Sequence, residues 1–158
     1  MRLSEILSLE RIDTHLDAAD KPDVLRALSR LIAREAPSPP LAPSGSPVAI
    51  ERVLELRETE ASTGVGDGVA IPHGRLPGLD HFVAALAIRR EGVPFDAIDG
   101  QPASIFFAFV GPERASGEHL KCLARIGRVL RDDGVRNKLL AAGDAKAALE
   151  IVMAADCG

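Results

Sequence analysis

The sequence predicts an α/β fold, a small mixed β-sheet sandwiched by helices. Three observations predict it. Helical apolar stripes lie near both ends of the chain, and two β-prone apolar runs bounded by Pro and Gly lie between them. Helices and strands therefore alternate, as a sheet covered by helices requires. The length of 158 residues fits one domain with a real core and is too short for two full domains.

Asp20-Lys21-Pro22 opens the first helix with an Asp cap and a Pro in the first turn. Val24, Leu25, Leu28, Leu31 and Ile32 then recur at helical spacing, and the helix is expected to end near Ala36. A proline-rich stretch over 37–47 follows and reads as an extended loop inserted within the domain. Ser46-Pro47 is again cap chemistry. Ile50, Val53, Leu54 and Leu56 mark a second helix to about Arg57.

Glycines then cluster at Gly64, Gly66, Gly68, Gly74 and Gly78, more than one turn needs. Between them, Val69 to His73 reads as a short strand that meets a loop at Pro72. The runs Phe82 to Ile88 and Ser104 to Val110 are expected to be buried strands, with Ala97 to Pro102 forming a turn between them. Ser116 is expected to cap the longest helix, with Leu120, Leu123, Ile126, Gly127 and Leu130 on its buried side. Two shorter helices, Val135 to Ala142 and Ala145 to Ala154, complete the pattern around Gly143-Asp144.

Composition narrows the function. With 46% apolar and 27% charged residues, the chain has the profile of an ordinary globular protein. A net charge of −4, five Phe and no Tyr or Trp argue against nucleic acid, which needs a basic surface and usually stacked aromatics. No apolar run approaches the ~20 residues that span a bilayer, and the N-terminus lacks a secretory signal, so no membrane insertion and a cytoplasmic location are expected. Cys122 and Cys157 read as free thiols of a reducing compartment.

The chemistry-bearing segment runs from Ser62 to Arg75. His73 supplies a ring nitrogen that is a nucleophile when neutral. The glycines let backbone N–H groups approach an anion, and the hydroxyls of Ser62 and Thr63 with Arg57 and Arg75 can donate to phosphate oxygens. The segment is neither a Walker loop nor a dinucleotide fingerprint. A hydrolase with His73 as general base and Asp67 or Asp80 as its orienter is a competing reading, weakened by the lack of a serine or cysteine nucleophile motif. His119 and Cys122 have H-x-x-C spacing without a second pair, which does not make a zinc site. His81 reads as a loop residue and His15 as a solvated residue of a polar stretch.

The run from Ser62 to Gly74 closely resembles the active-site segment of enzyme IIA domains of the bacterial phosphotransferase system, of the fructose/mannitol/nitrogen-regulatory type. The resemblance extends to Phe95 through Pro102, to Glu118-His119-Leu120 and to the Leu3-to-Leu9 opening, and so covers nearly the whole chain outside the proline-rich stretch. Gly74 after His73, and no attached sugar-transport domain in the sequence, place it closest to the nitrogen-regulatory branch. The resemblance implies a phosphocarrier and a phosphotransferase/anion-transport-type fold. His73 would be phosphorylated by a histidine-containing phosphocarrier protein, with His119 as a second histidine beside it. Arg57, with Ser62 or Thr63, would bind the phosphoryl group, and no metal or cofactor is called for. Downstream, it implies either a regulatory target protein or, in a sugar-transport component, an enzyme IIB domain. A non-catalytic regulatory binding module is the further alternative.

Overall fold

In a computed structural model that describes residues 1–34 and 46–157, six strands form one mixed sheet. The order is β1 (Ile12–Asp13), β5 (Val83–Val93), β6 (Ala103–Gly111), β3 (Val69–Ala70), β2 (Gly64–Gly66), and β4 (His73–Arg75) also pairs with β6. The helices are α1 (Lys21–Ala33), α2 (Pro47–Glu60), α3 (Ser116–Arg131), α4 (Asp133–Ala141) and α5 (Ala145–Cys157).

Alternation along β5 and β6 divides the core between two faces. Ala85, Ala87, Phe106, Ala108 and Val110 face α1 and α2, while Ala84, Leu86, Ile88, Phe107 and Phe109 face α3, α4 and α5. Both predicted runs are thus strands buried on both faces between helix layers. The first is longer than its apolar letters indicate. Its ladder shifts register after Ile88 and resumes at Val93, because backbone pairing continues past the polar Arg89-Arg90-Glu91.

The predicted caps of α1 and α2 form: Asp20 accepts from the Asp23 N–H at 3.0 Å and Ser46 from the Ala49 N–H at 3.2 Å. α1 closes at Ala33, three residues before the expected end, and α2 runs on to Glu60. The remainder of the proline-rich stretch, 37–45, lies outside the described residues.

Three expectations are corrected on α2 and α3. Ser116 is the first residue of α3 and does not cap it; Ala115 occupies the cap position without a side-chain bond. The buried stripe of α3 is rotated toward His119, Cys122, Ile126, Val129 and Leu130, which leaves Leu120 67% exposed. On α2 the buried line is Ile50, Leu54 and Glu58, and Leu56 stands outside at 68% exposed.

The glycine cluster builds more than a loop. β2 and β3 make a tight antiparallel hairpin through Asp67, with left-handed backbone at Gly66, Asp67 and Gly68 (φ 96°, 56° and 76°). β3 and β4 lie one after the other along β6, both parallel to it, with Ile71-Pro72 between them. Proline ends the first ladder, and its carbonyl accepts from the Phe109 N–H at 3.1 Å. His73 therefore begins a second strand, where the sequence suggests the end of the first.

Candidate active site

Strand pairing places His73 directly beside Phe109, and both side chains face α3. His73 is 8% exposed and its Nδ1 lies 2.7 Å from the carbonyl oxygen of Ile71. A carbonyl only accepts, so Nδ1 carries the proton and the neutral ring keeps its free lone pair on Nε2. Burial lowers the pKa of His73, the Ile71 contact opposes this, and Arg57 lowers it further. The ring is thus held neutral, which is the nucleophilic form.

α3 brings His119 against it, with ring centroids 5.3 Å apart. His119 sits in the first turn of α3, and its own N–H is used inside the helix, on the Ala115 carbonyl at 2.8 Å. Its backbone donor is therefore not free for an anion. Its side chain contributes instead. Nδ1 of His119 is buried and has no hydrogen-bond partner among the described residues. Burial, followed by His73, Arg75 and Arg57, depresses its pKa to about 4.

The two histidines open into a cleft of about 550 Å³. Arg57 and Glu60 line it from α2, Arg75 from β4, and the exposed Leu56 and Leu120 stand at its sides. Arg57 donates to the carbonyl of Ala61 at 2.9 Å, and Arg75 to that of Glu113 at 3.3 Å. Each guanidinium has five N–H donors, so most remain free for an incoming anion.

Ser62 and Thr63 are not among the residues that line this cleft. The Ser62 hydroxyl donates to the Phe95 carbonyl at 2.7 Å and accepts from the Gly64 N–H at 3.0 Å. Thr63 donates its hydroxyl at 2.6 Å and its N–H at 2.8 Å to the two carboxylate oxygens of Glu58. Lys21 closes this knot at 2.8 Å from Glu58. The buried Glu58, which sequence reading passed over, ties α1, α2 and the glycine hairpin together. It lies one residue past the helix end that the sequence suggests, and nothing local marks it as buried.

The hydrolase arrangement does not assemble. Asp80 is paired with His81 at 2.6 Å, the Asp67 N–H donates to Asp99, and neither aspartate lines the His73 cleft. Cys122 is fully buried, and burial pushes its thiol up to about 12. Among the described residues, no three His, Cys, Asp or Glu side chains gather as a metal ion would require.

A mixed α/β sandwich that holds a neutral, buried histidine at the foot of a cleft walled by two arginines fits a phosphocarrier. The comparisons agree with that class. Residues 5–154 match the family model described as the phosphoenolpyruvate-dependent sugar phosphotransferase system, EIIA 2, and the chain belongs to this family. It is 36% identical over 153 residues to the nitrogen regulatory protein of Pseudomonas aeruginosa, covering 97% of this chain and 96% of that one. The fructose-specific EIIA component of Haloferax volcanii is 39% identical over 106 residues, covering 67% of this chain and 68% of that one. The crystal structure of nitrogen regulatory protein IIA-Ntr of Neisseria meningitidis superposes with a TM-score of 0.83 at 34% identity, covering 95% of this chain and 98% of the other.

Proposed function

We propose that this chain is a cytoplasmic phosphocarrier whose His73 Nε2 accepts a phosphoryl group from a histidine-containing phosphocarrier protein. The observation that carries the reading is the 2.7 Å contact of Nδ1 with the Ile71 carbonyl, which leaves Nε2 as the free nucleophile beside two arginines. In the transfer, Nε2 forms the new N–P bond while the donor's N–P bond breaks and its electron pair returns to the donor imidazole. Little else is asked of the protein than position and charge stabilisation.

The residues divide the work. Arg57 and Arg75 donate to the equatorial oxygens, and His119, which lines the cleft beside His73, supplies a ring N–H to the phosphoryl group. Ser62 and Thr63 serve the same group by bracing the hairpin that presents it, since their hydroxyls already have partners. Leu56 and Leu120 are exposed apolar contacts at the cleft edge, suited to a protein partner that reaches His73. Phosphorylation adds about −2 charge between them and so changes which partner the surface accepts.

The output we assign is regulation of nitrogen or general metabolism, supported by the near full-length likeness to nitrogen regulatory proteins. The fructose-specific relative supports a second reading, delivery to an enzyme IIB domain of a sugar transporter. The deciding test uses the general phosphotransferase proteins, labelled phosphoenolpyruvate, the wild-type chain and a His73→Ala variant. Acid-labile, base-stable label on wild type alone supports the carrier role; no label on wild type with active donors overturns it. Offering the labelled protein to IIB domains then separates the two outputs.

A further inference from the structure

The ring of His73 has one neighbour that none of its proposed chemistry uses. Phe109 stacks on it nearly parallel, with centroids 5.2 Å apart and planes 9° from one another. The contact follows from register, because His73 and Phe109 are paired residues on adjacent parallel strands. Phe109 is fully buried and also touches the His119 ring at 4.9 Å, so one benzene ring serves both histidines. Phe82 braces it from behind, 6.2 Å from Phe109 and 6.1 Å from His119. That brace needs Gly111: a Cβ there would stand 2.3 Å from the Phe82 ring.

We infer that Phe109 is a positioning residue, whose flat face sets the plane of the His73 imidazole so that Nδ1 stays on the Ile71 carbonyl and Nε2 stays free for transfer. The inference rests on the phosphocarrier reading for its consequence, though not for its geometry. The imidazole turns about its Cβ–Cγ bond, and the hydrogen bond at Nδ1 leaves it the freedom to turn whenever that single contact breaks. A parallel aromatic face on one side and the tilted His119 ring beside it remove that freedom. A reacting atom displaced or misaligned by a small rotation loses rate even when the nucleophile is intact. Phe107 supplies the internal control. It lies two residues earlier on β6, faces the same side and is equally buried in the same core, but has no ring contact with either histidine among the described residues.

The experiment compares wild type with Phe109→Leu, Phe109→Met and Phe107→Leu in the full chain. Nitrogen-15 NMR of the imidazoles reads the tautomer of His73, and transfer kinetics read kcat and KM for the phosphocarrier donor. Wild type is expected to hold the Nδ1–H tautomer. Both Phe109 variants are expected to lower that fraction and to reduce kcat about fivefold with KM unchanged. Phe109→Met refills the volume without a flat face, so it keeps the test open if Phe109→Leu does not fold. Phe107→Leu is expected to lose stability while leaving tautomer and kcat as in wild type. The inference is overturned if the Phe109 variants leave the tautomer unchanged, or if Phe107→Leu moves it equally. A tautomer change specific to Phe109 with no transfer in wild type would support the positioning role and sink the carrier reading alone.

Discussion

Val53 of α2 occupies the space that a side chain at Gly74 would need. A Cβ built on Gly74 stands 2.3 Å from the Val53 Cγ1, and the Val53 carbonyl is only 3.5 Å away. This close approach seats α2 against β4. Val53 and Arg57 are one turn apart on that helix, so the contact also sets how near Arg57 stands to His73. Gly74→Ala is expected to destabilise the fold by about 1–3 kcal/mol through overpacking. Adding Val53→Ala should recover at least half of that loss in urea unfolding, since the pair in contact couples. Equal losses with and without Val53 would show that the helix is not seated by this contact.

Glu58 holds three donor groups on two residues, Thr63 and Lys21, which makes it costlier to remove than any one of them. Glu58→Ala strands the Thr63 N–H and hydroxyl and frees Lys21. A loss of about 3 kcal/mol is expected, as for other broken buried ion pairs. Thr63→Val removes one hydrogen bond and should cost about 1 kcal/mol. Chemical denaturation of the two variants side by side checks the order.

Stability should respond to acid through His119. Its folded pKa of about 4 lies below the usual 6.5, so between these values the unfolded chain binds more protons. The contribution is fully present above the unfolded pKa, falls as pH drops through that window, and is gone below about pH 4. Near pH 5 this residue should have removed about 2 kcal/mol relative to pH 7.5. His73, shifted in the same direction, adds to the slope. Unfolding of wild type and His119→Gln at both pH values is the measurement. An unchanged pH slope in the variant would contradict the assignment.

Arg57 and Leu120 both border the cleft and should fail differently. Arg57→Gln removes a charged donor, and an order-of-magnitude or larger fall in kcat is expected. Leu120→Asp places a charge on an exposed apolar contact at the cleft edge and should raise KM for the donor about tenfold with kcat largely kept. Steady-state transfer kinetics separate the two effects.

His73 and the strand runs were legible as features because each sits in a dense local signal, whereas His119 was singled out only through the family resemblance. His73 stands among glycines, and β5 and β6 are apolar runs bounded by turn residues. Phe109 was legible only as a strand residue, because no local pattern says that register will lay it on His73. Ser62 and Thr63 show the converse. Hydroxyls beside a glycine loop read as phosphate donors, yet Glu58 and the Phe95 carbonyl reach them from other parts of the fold.

By itself, the sequence determined the class of fold, the first two helix caps and the position of the glycine-rich segment that carries the candidate nucleophile His73. These depend on backbone conformation and on periodicity, which act within a few residues. Only the tertiary structure decided that His73 begins a strand of its own, that Leu120 and Leu56 face outward, and that Nδ1 is the nitrogen held by Ile71. Those facts depend on which elements pack together. A hydrogen bond or a stacked ring takes its partner from whatever the sheet register and the helix seating bring within reach.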